Sequence, residues 1–367
     1  MTTPLFPILE RMIAEQGSLS LHEFMQIALT HPEHGYYKNR TAIGGEGDFI
    51  TAPEISQMFG ELCGLWGFDQ MINQQINQHA GWVELGPGRG TLMADIIRVA
   101  SMAGPENNRK WPVHLVEIHP EFVVEQRAKL NAHTDLHHHQ DLSSLPPIPL
   151  IFIANEFFDA LPIRQFVSKN ANWYERNVIT DGNGLMLSTS STPETQLALP
   201  TPNEDGIIAE YATDLHPLVG QMATHINTYG GAALIIDYGK SNAVGDSLQA
   251  VNNHQPVDIF HDPGQTDLSA WVNFKAIRDA ALDQGAKVFG PRSQGDFLRQ
   301  LGLYQRAEQL ALSASKEERR NIAAAVDRLS APAQMGNVFK VMALLPAAHP
   351  ITSPEQLAGF APPTKMA

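Results

Sequence analysis

The sequence predicts an α/β fold in which helices alternate with the strands of a mostly parallel sheet. From residue 81 onward, short apolar runs typical of buried strands alternate with segments of helical periodicity. A strand, a crossover helix and a second parallel strand form a right-handed unit, so this alternation builds a parallel sheet with helices on its faces. A helical N-terminal cap and a β-rich insertion are expected beside this core.

The predicted domain boundaries follow the changes in this rhythm. The cap covers residues 1–80, the core covers 81–162 and 207–346, and the insertion covers 163–206. Residues 347–367 are rich in proline, and we expect them to form a C-terminal tail laid over the surface.

The cap is predicted from helical spacing and from capping residues. Apolar residues recur at helical spacing over 5–13, and Ser20 followed by Glu23 has the spacing of a capping box. Pro53 is expected to open the next helix, because proline is tolerated in the first turn. Residues 31–48 are expected to form a loop.

The remaining elements are predicted from apolar runs bounded by turn residues. Helices are expected at 91–102, 120–132, 215–229, 294–301, 304–312 and 316–329. Strands are expected at 83–85, 113–118, 135–139, 150–154, 163–168, 172–179, 184–189, 232–237, 287–289 and 338–345. An exposed loop is expected over 190–206.

Composition and charge exclude several classes of protein. The chain has 367 residues, of which 43% are apolar and 17% are charged, an ordinary balance for a globular protein. The single Cys63 excludes an internal disulfide framework and a paired-cysteine zinc site. A net charge of −14 disfavours binding to nucleic acid or an anionic membrane and favours a cationic substrate.

The expected location rests on signals that the chain lacks. No segment approaches the ~20 apolar residues that a membrane-spanning helix needs. Residues 1–17 carry no signal-peptide pattern. The sequence therefore predicts a soluble cytoplasmic protein with no metal site, no nucleic-acid partner and no membrane insertion, and it leaves the oligomeric state open.

A glycine-rich loop is the strongest chemical signal in the sequence. Gly86, Gly88 and Gly90 follow a predicted strand and precede a helix, whose first turn offers free backbone amides. Their spacing differs from that of dinucleotide-binding and P-loop proteins. Glu84 would repel a pyrophosphate but suits the ammonium group of a methionine moiety. Without supporting signals, a glycine-rich loop of this kind is as often a simple turn as it is a ligand-binding loop.

The next two strands add acidic residues at their ends. Glu117 ends the second predicted strand, where a carboxylate can accept both ribose hydroxyls of a nucleoside. Asp141 and Leu142 follow the third, in a position that suits the adenine. Each acidic residue alone is more commonly a solvated strand end. Together with the loop, they predict a site for S-adenosylmethionine.

The end of the fourth strand carries the candidate catalytic residues. Ligands of open α/β sheets lie beyond the carboxyl ends of the strands, so Asn155, Glu156 and Asp159 are expected to face the transfer site. An alternative is that Asn155 and Glu156 only cap and begin a helix. Both interpretations can hold together.

With these residues in view, the chain resembles the MidA family of S-adenosylmethionine-dependent methyltransferases. This family includes a mitochondrial protein arginine methyltransferase needed for assembly of respiratory complex I. The resemblance covers nearly the whole chain and rests on the segments 30–37 (THPEHGYY), 47–57 (GDFITAPEISQ), 84–92 (ELGPGRGTL), 155–162 (NEFFDALP), 236–239 (IDYG), 262–264 (DPG) and 335–340 (MGNVFK). One block departs, because Trp271 and Asn273 stand where the family usually has His and Asp.

The resemblance implies a fold, a cofactor and an acceptor. The fold is a Rossmann-like, seven-strand class I methyltransferase sheet, and the acceptor is an arginine of a protein, such as a complex I subunit. The implied catalytic residues are Glu156, Asp159 and Asp48, which would hold the guanidinium. The predicted cofactor-binding residues are Glu84, Gly86, Gly88, Gly90, Leu92, Glu117, Asp141, Leu142 and Asn155. A small-molecule methyltransferase and a cofactor-binding assembly factor with little turnover remain alternatives.

Overall fold

The computed structural model describes residues 3–38, 51–103, 110–182, 184–242 and 244–362. Its α-helices are α1 (Phe6–Gln16), α2 (Leu21–Thr30), α3 (Ala52–Ile55), α4 (Gln57–Asn73), α5 (Thr91–Ala103), α6 (Pro120–Leu130), α7 (Leu215–Tyr229), α8 (Phe274–Asp283), α9 (Gln294–Gln300), α10 (Leu303–Leu312), α11 (Lys316–Ser330) and α12 (Met335–Val338). Its strands are β1 (Leu19–Ser20), β2 (Gly81–Leu85), β3 (Trp111–Val116), β4 (Thr134–His139), β5 (Leu150–Asn155), β6 (Ile163–Lys169), β7 (Asn172–Thr180), β8 (Leu185–Glu194), β9 (Ile208–Ala212), β10 (Gly231–Lys240), β11 (Gln249–Asn252), β12 (Gln255–Val257), β13 (Asp267–Ser269), β14 (Val272–Asn273), β15 (Lys287–Ser293) and β16 (Phe339–Leu345).

The chain divides into two compact units, each built from three segments. The first unit comprises Met1–Phe49, Phe158–His216 and Lys240–Ala276, and the second comprises Ile50–Phe157, Pro217–Gly239 and Ile277–Ala367. Residues 50–80, which the sequence analysis assigned to the N-terminal cap, therefore belong to the second unit. The expected β-rich insertion belongs to the first unit, together with the first two helices.

The second unit is organised around a largely parallel sheet. Its main path runs in the order β15–β16–β10–β5–β2–β3–β4. Strands β10, β5, β2, β3 and β4 are parallel, whereas β16 runs antiparallel to both of its neighbours. The predicted α/β fold is confirmed by this arrangement.

The strand order creates a point at which the chain changes direction across the sheet. From β2 the chain builds β3 and β4 on one side and then returns to place β5 on the other side of β2. In the register, Leu85 of β2 lies opposite Val116 of β3 and Ala154 of β5, so the three carboxyl ends are level. Ligands of open α/β sheets bind at such a switch point.

The core of the second unit is packed with large apolar side chains. Trp66 of α4 and Ile96 of α5 are fully buried with Trp82 and Val113 of the sheet. Burial of aromatic side chains of this size is a major stabilising contribution to a core. This packing fixes the carboxyl ends of the central strands.

Pro53 opens a helix, as predicted, but that helix is short. Pro53 lies in the first turn of α3, which ends at Ile55. Ser56 then has an extended backbone, and its hydroxyl oxygen accepts a hydrogen bond from the Met58 backbone N–H at the start of α4. Ser56 is therefore an N-cap, which explains why the apolar stripe over this region belongs to a second helix.

The first unit combines a five-stranded antiparallel sheet with α1 and α2. The sheet has the order β1–β7–β6–β9, with β8 paired to β7. Leu9 of α1 and Phe24 of α2 are buried in one cluster with Ile163 and Val178 of this sheet. The predicted capping box of α2 is present: the Ser20 hydroxyl accepts from the Glu23 backbone N–H, and the Glu23 carboxylate accepts from the Ser20 backbone N–H.

Two expectations about irregular segments were wrong. Strand β8 extends to Glu194, so the exposed loop expected over 190–206 begins later than predicted, because pairing with β7 continues past the threonines and serines. The C-terminal segment is anchored rather than laid over the surface. Ile351, Leu357 and Phe360 are buried in the core cluster of the second unit, where apolar burial outweighs the proline-rich character of the segment.

Candidate functional site

The glycine-rich loop after β2 adopts a backbone that favours glycine. Gly86, Gly88 and Gly90 have φ angles of 61°, 50° and 72°, all in the left-handed region. A Cβ atom on Gly86 would lie 2.8 Å from Cδ2 of Phe157, and one on Gly90 would lie 3.3 Å from Cγ of Gln126. The loop therefore lacks side chains both for conformational reasons and because its neighbours approach the backbone closely.

Glu84 is a buried carboxylate with an unused hydrogen-bonding atom. It lies within β2 and is 3% exposed, and its Oε2 atom has no hydrogen-bond partner among the described residues. The pKa of Glu84 is raised to about 8, mainly by burial; a hydrogen bond from the Met93 backbone opposes this shift, and the nearby Glu117 carboxylate adds to it. Such a group is suited to receive a positively charged ligand atom.

The raised pKa of Glu84 predicts a pH dependence of stability. Because the folded-state pKa lies above the ordinary value of 4.5, this carboxyl group stabilises the fold at low pH, and the contribution is lost as the pH rises toward about 8. Between pH 5 and pH 8, we expect the free energy of unfolding of the wild-type chain to fall by a few kcal/mol relative to a Glu84→Gln variant, as an order of magnitude. Urea unfolding across this range, with Glu308→Gln on the exposed surface as control, measures the difference. Parallel pH profiles for wild type and Glu84→Gln would contradict it.

Glu117 lies just beyond β3, and its carboxylate is held from two sides. Its Oε1 accepts a hydrogen bond of 2.8 Å from the backbone N–H of His119, and its Oε2 accepts one of 3.3 Å from Nε2 of Gln126. Burial raises the pKa of Glu117, and these hydrogen bonds oppose the shift by favouring the ionised form. The carboxylate is therefore oriented before any ligand arrives.

Gln126 was not predicted from the sequence as a site residue. It lies on α6, is fully buried, and its Nε2 also donates to the carbonyl oxygen of Gly88 at 2.7 Å. Helical periodicity identified the helix but carries no information about a polar contact to a loop 38 residues earlier. Gln126 lies four residues after Phe122 and four before Leu130, so a polar residue in this buried stripe of α6 is the sequence signal that could have indicated it.

The end of β5 holds two of the predicted residues in direct contact. Nδ2 of Asn155 donates to Oε1 of Glu156 at 3.1 Å, and the backbone N–H of Ala52 donates to the same atom at 3.1 Å. Glu156 has a φ of 50°, which is unusual for a residue with a side chain and is typical of functional sites. The Oδ1 atom of Asn155 is buried with no hydrogen-bond partner among the described residues.

The structure brings together most of the predicted residues, but not all of them. Glu84, the glycines, Glu117, Asn155 and Glu156 lie at the carboxyl ends of adjacent strands of the second unit. Asp159 belongs to the first unit, where its carbonyl oxygen accepts from the Ala270 backbone N–H at 3.0 Å. Asp48 lies outside the described residues.

Three other predicted cofactor residues have evident structural roles. Leu92 is buried in the apolar core of the second unit. Asp141 is exposed and caps the short helical turn Leu142–Ser144, and hydrogen bonds from Ser143 lower the pKa of Asp141. Leu142 is buried within that turn. Their contact with a cofactor stays a prediction.

Within the described ranges, no group of three or more His, Cys, Asp or Glu residues is placed to hold a metal ion. No helix in the part of the chain that the structure describes is both long and apolar enough to cross a membrane.

Comparison with known proteins identifies the family. Residues 62–292 match the sequence profile of a family described as "Putative S-adenosyl-L-methionine-dependent methyltransferase". The chain belongs to this family. The resemblance to the MidA methyltransferases is thereby confirmed, and the chain is an S-adenosylmethionine-dependent methyltransferase.

Relatives of this methyltransferase extend over most of the chain. The protein arginine methyltransferase NDUFAF7 homolog of Drosophila melanogaster, named mitochondrial, is 34% identical over 93% of this chain and 85% of its own length. The human protein arginine methyltransferase NDUFAF7, also named mitochondrial, is 33% identical over 94% of this chain and 84% of its own length.

Two solved structures share the fold of this methyltransferase. A protein from Burkholderia thailandensis, crystallised with S-adenosyl-homocysteine, is 23% identical and superposes with a TM-score of 0.78 over 93% of this chain and 91% of its own. A native structure of an uncharacterised protein from the same organism is 25% identical, with a TM-score of 0.80 over 97% and 93% of the two chains.

The expected cytoplasmic location is corrected by these relatives, which are named mitochondrial. The expectation rested on the lack of a membrane-spanning segment and of a signal pattern. Neither observation identifies a compartment, because targeting signals are recognised separately from the fold.

Proposed function

We propose that this methyltransferase transfers a methyl group to the guanidinium of an arginine in a protein. A subunit of respiratory complex I is the candidate substrate protein. The named activity of the relatives and the net charge of −14, which favours a cationic partner, support this proposal. The observation that carries it is the pair of polar side chains at the end of β5, where Glu156 offers a carboxylate at the switch point of the sheet.

The residues at the neighbouring strand ends fit S-adenosylmethionine. Oε2 of Glu84 and Oδ1 of Asn155 are buried acceptors with no partner among the described residues, and a ligand ammonium group would satisfy such an acceptor. Gly86 and Gly88 carry no side chain that would keep a ligand from the loop backbone, and Glu117 is oriented to accept hydroxyl donors. When bound, S-adenosylmethionine supplies an electrophilic methyl group on a sulfonium centre.

The proposed role of Glu156 is to hold the acceptor. A guanidinium offers N–H donors in a fixed fork that matches a carboxylate, so the ion pair would orient the acceptor nitrogen. Glu156 would also take up the proton that this nitrogen loses on methylation. Positioning of this kind accounts for a large share of the rate acceleration in group-transfer enzymes. The sequence-based assignment of Asp159 and Asp48 to the acceptor stays a prediction.

Proton release on cofactor binding tests the role of Glu84. In the free protein, a pKa of about 8 leaves this carboxyl group largely protonated at pH 7, and a ligand ammonium would favour its ionised form. We expect S-adenosyl-homocysteine to release up to about one proton on binding at pH 7, seen by calorimetry as heats that depend on the buffer. Glu84→Gln should remove this dependence. Equal buffer dependence in both proteins would show that Glu84 does not receive the ammonium.

The acceptor is tested by following an isotope-labelled methyl group. A mitochondrial extract from cells lacking this gene is incubated with the purified protein and labelled S-adenosylmethionine, then separated into macromolecules and small molecules. The proposal expects label in the protein fraction and, by mass spectrometry, on arginine side-chain nitrogens. Label in the small-molecule fraction would indicate a small-molecule methyltransferase. No label above a no-enzyme control would indicate an assembly factor with little turnover.

A further inference from the structure

We infer that Gln126 is a positioning residue that ties the glycine loop after β2 to the Glu117 carboxylate after β3. Its Nε2 donates to the carbonyl oxygen of Gly88 at 2.7 Å and to Oε2 of Glu117 at 3.3 Å. One amide group therefore joins the two segments that are proposed to hold opposite parts of the cofactor. This inference rests on the proposed cofactor site.

The orientation of the Gln126 amide is fixed from its other side. Its Oε1 accepts a hydrogen bond of 2.9 Å from Nε2 of His138 on β4. An amide oxygen can only accept, so Nε2 of His138 carries the hydrogen, and both amide hydrogens of Gln126 remain directed toward the loop and the carboxylate. His138 thereby fixes the orientation of the Gln126 amide.

Packing couples the same residue to the loop backbone. Gly90, with its φ of 72°, would place a Cβ atom 3.3 Å from Cγ of Gln126, so the aliphatic part of Gln126 lies against the loop. Gln126 is fully buried, so its amide donors are shielded from bulk solvent. Loss of the amide would leave the Gly88 carbonyl without this donor and the Glu117 carboxylate held from one side, by the His119 backbone N–H.

The proposal predicts a specific change in nucleoside recognition. If Glu117 accepts the ribose hydroxyls, wild-type protein should bind adenosine about 10- to 100-fold more tightly than 2′,3′-dideoxyadenosine, as expected for a buried charge-assisted contact. Gln126→Met keeps the volume of the side chain and removes both donors. It should reduce this preference at least about fivefold, since it releases the carboxylate that makes the distinction.

The experiment is calorimetric titration of both nucleosides into the full-length wild-type and Gln126→Met proteins. Gln294→Met is the matched control, because Gln294 is also fully buried and donates from Nε2 to the carbonyl oxygen of Leu329. It should keep the wild-type preference. The Gln126 hydrogen bond lowers the pKa of Glu117, so its removal should raise that pKa. On acidification, Gln126→Met should therefore begin to lose affinity for S-adenosyl-homocysteine at a higher pH than wild type does.

The outcomes separate this inference from the proposed function. If wild-type protein binds neither adenosine nor S-adenosyl-homocysteine, the proposed cofactor site itself is wrong. If wild type binds and discriminates, but Gln126→Met weakens both nucleosides equally or changes neither, Gln126 has only a structural role and the inference is overturned. Should Gln126→Met fail to fold, Gln126→Glu takes its place: a carboxylate beside Glu117 is expected to lower the preference as well, and an unchanged preference overturns the inference.

Discussion

Replacing Glu156 with glutamine is expected to slow methyl transfer by about 10²- to 10³-fold, the loss typical of removing one charged or transition-state-stabilising group. The substitution keeps an oxygen that can still accept from the Ala52 backbone and from Asn155, so the local fold should persist. The affinity for S-adenosyl-homocysteine should change only a few-fold, because Glu84 and Glu117 are proposed to bind the cofactor. Transfer rate and affinity are measured on one preparation.

The controls for this result separate charge from position. Glu308→Gln removes a carboxylate from the exposed surface of α10 and should leave both quantities unchanged. Full activity of Glu156→Gln would exclude Glu156 from the transfer step, and a joint loss of activity and cofactor affinity would assign it to the cofactor site.

The second large effect is expected for Gly88→Val, which should weaken binding of S-adenosyl-homocysteine by about 100-fold or more. Gly88 has a φ of 50°, a conformation that costs a residue with a side chain about 1–2 kcal/mol and costs a β-branched one more. The branched side chain would also stand where the proposed ligand approaches the backbone. Calorimetry on a folded variant measures the loss.

A matched variant separates backbone strain from loss of the site. Gly182 has a φ of 85° in the turn after β7, and a Cβ atom there would meet nothing within 4 Å. Gly182→Val should lose a similar amount of stability and retain full affinity for S-adenosyl-homocysteine. If folded Gly88→Val binds as tightly as Gly182→Val, the loop is not the cofactor site.

Much of this candidate site could be predicted from the sequence because its residues lie at the ends of buried strands, which apolar runs reveal. The glycine loop, Glu117 and the Asn155–Glu156 pair each follow a buried apolar run, and the carboxyl ends of parallel strands converge. The α/β fold could also be predicted from the sequence, because the alternation of strands and helices constrains the topology. Local patterns were sufficient wherever a residue's position along its strand determined its surroundings.

The rest depends on tertiary packing that local patterns do not encode. The two acceptors of the Gln126 amide are 9 and 38 positions away along the chain. Leu92 lies in a family block yet its side chain is buried in the core, because the rotation of α5 about its axis is set by packing against α4. Ile351, Leu357 and Phe360 show the same limit, since they are buried with residues far away along the chain, as Phe360 is against Phe297.

The central claim, that S-adenosylmethionine binds at the carboxyl ends of β2, β3 and β5, is tested most directly by a crystal structure of this chain with S-adenosyl-homocysteine. The account predicts ligand density with the amino group at Glu84 and the ribose at Glu117. The second unit also has a cavity of about 420 Å³ elsewhere, lined by residues of α4, α5 and α10 that include Leu65, Met102 and Arg306. Density there, with none at Glu84 and Glu117, would contradict the claim.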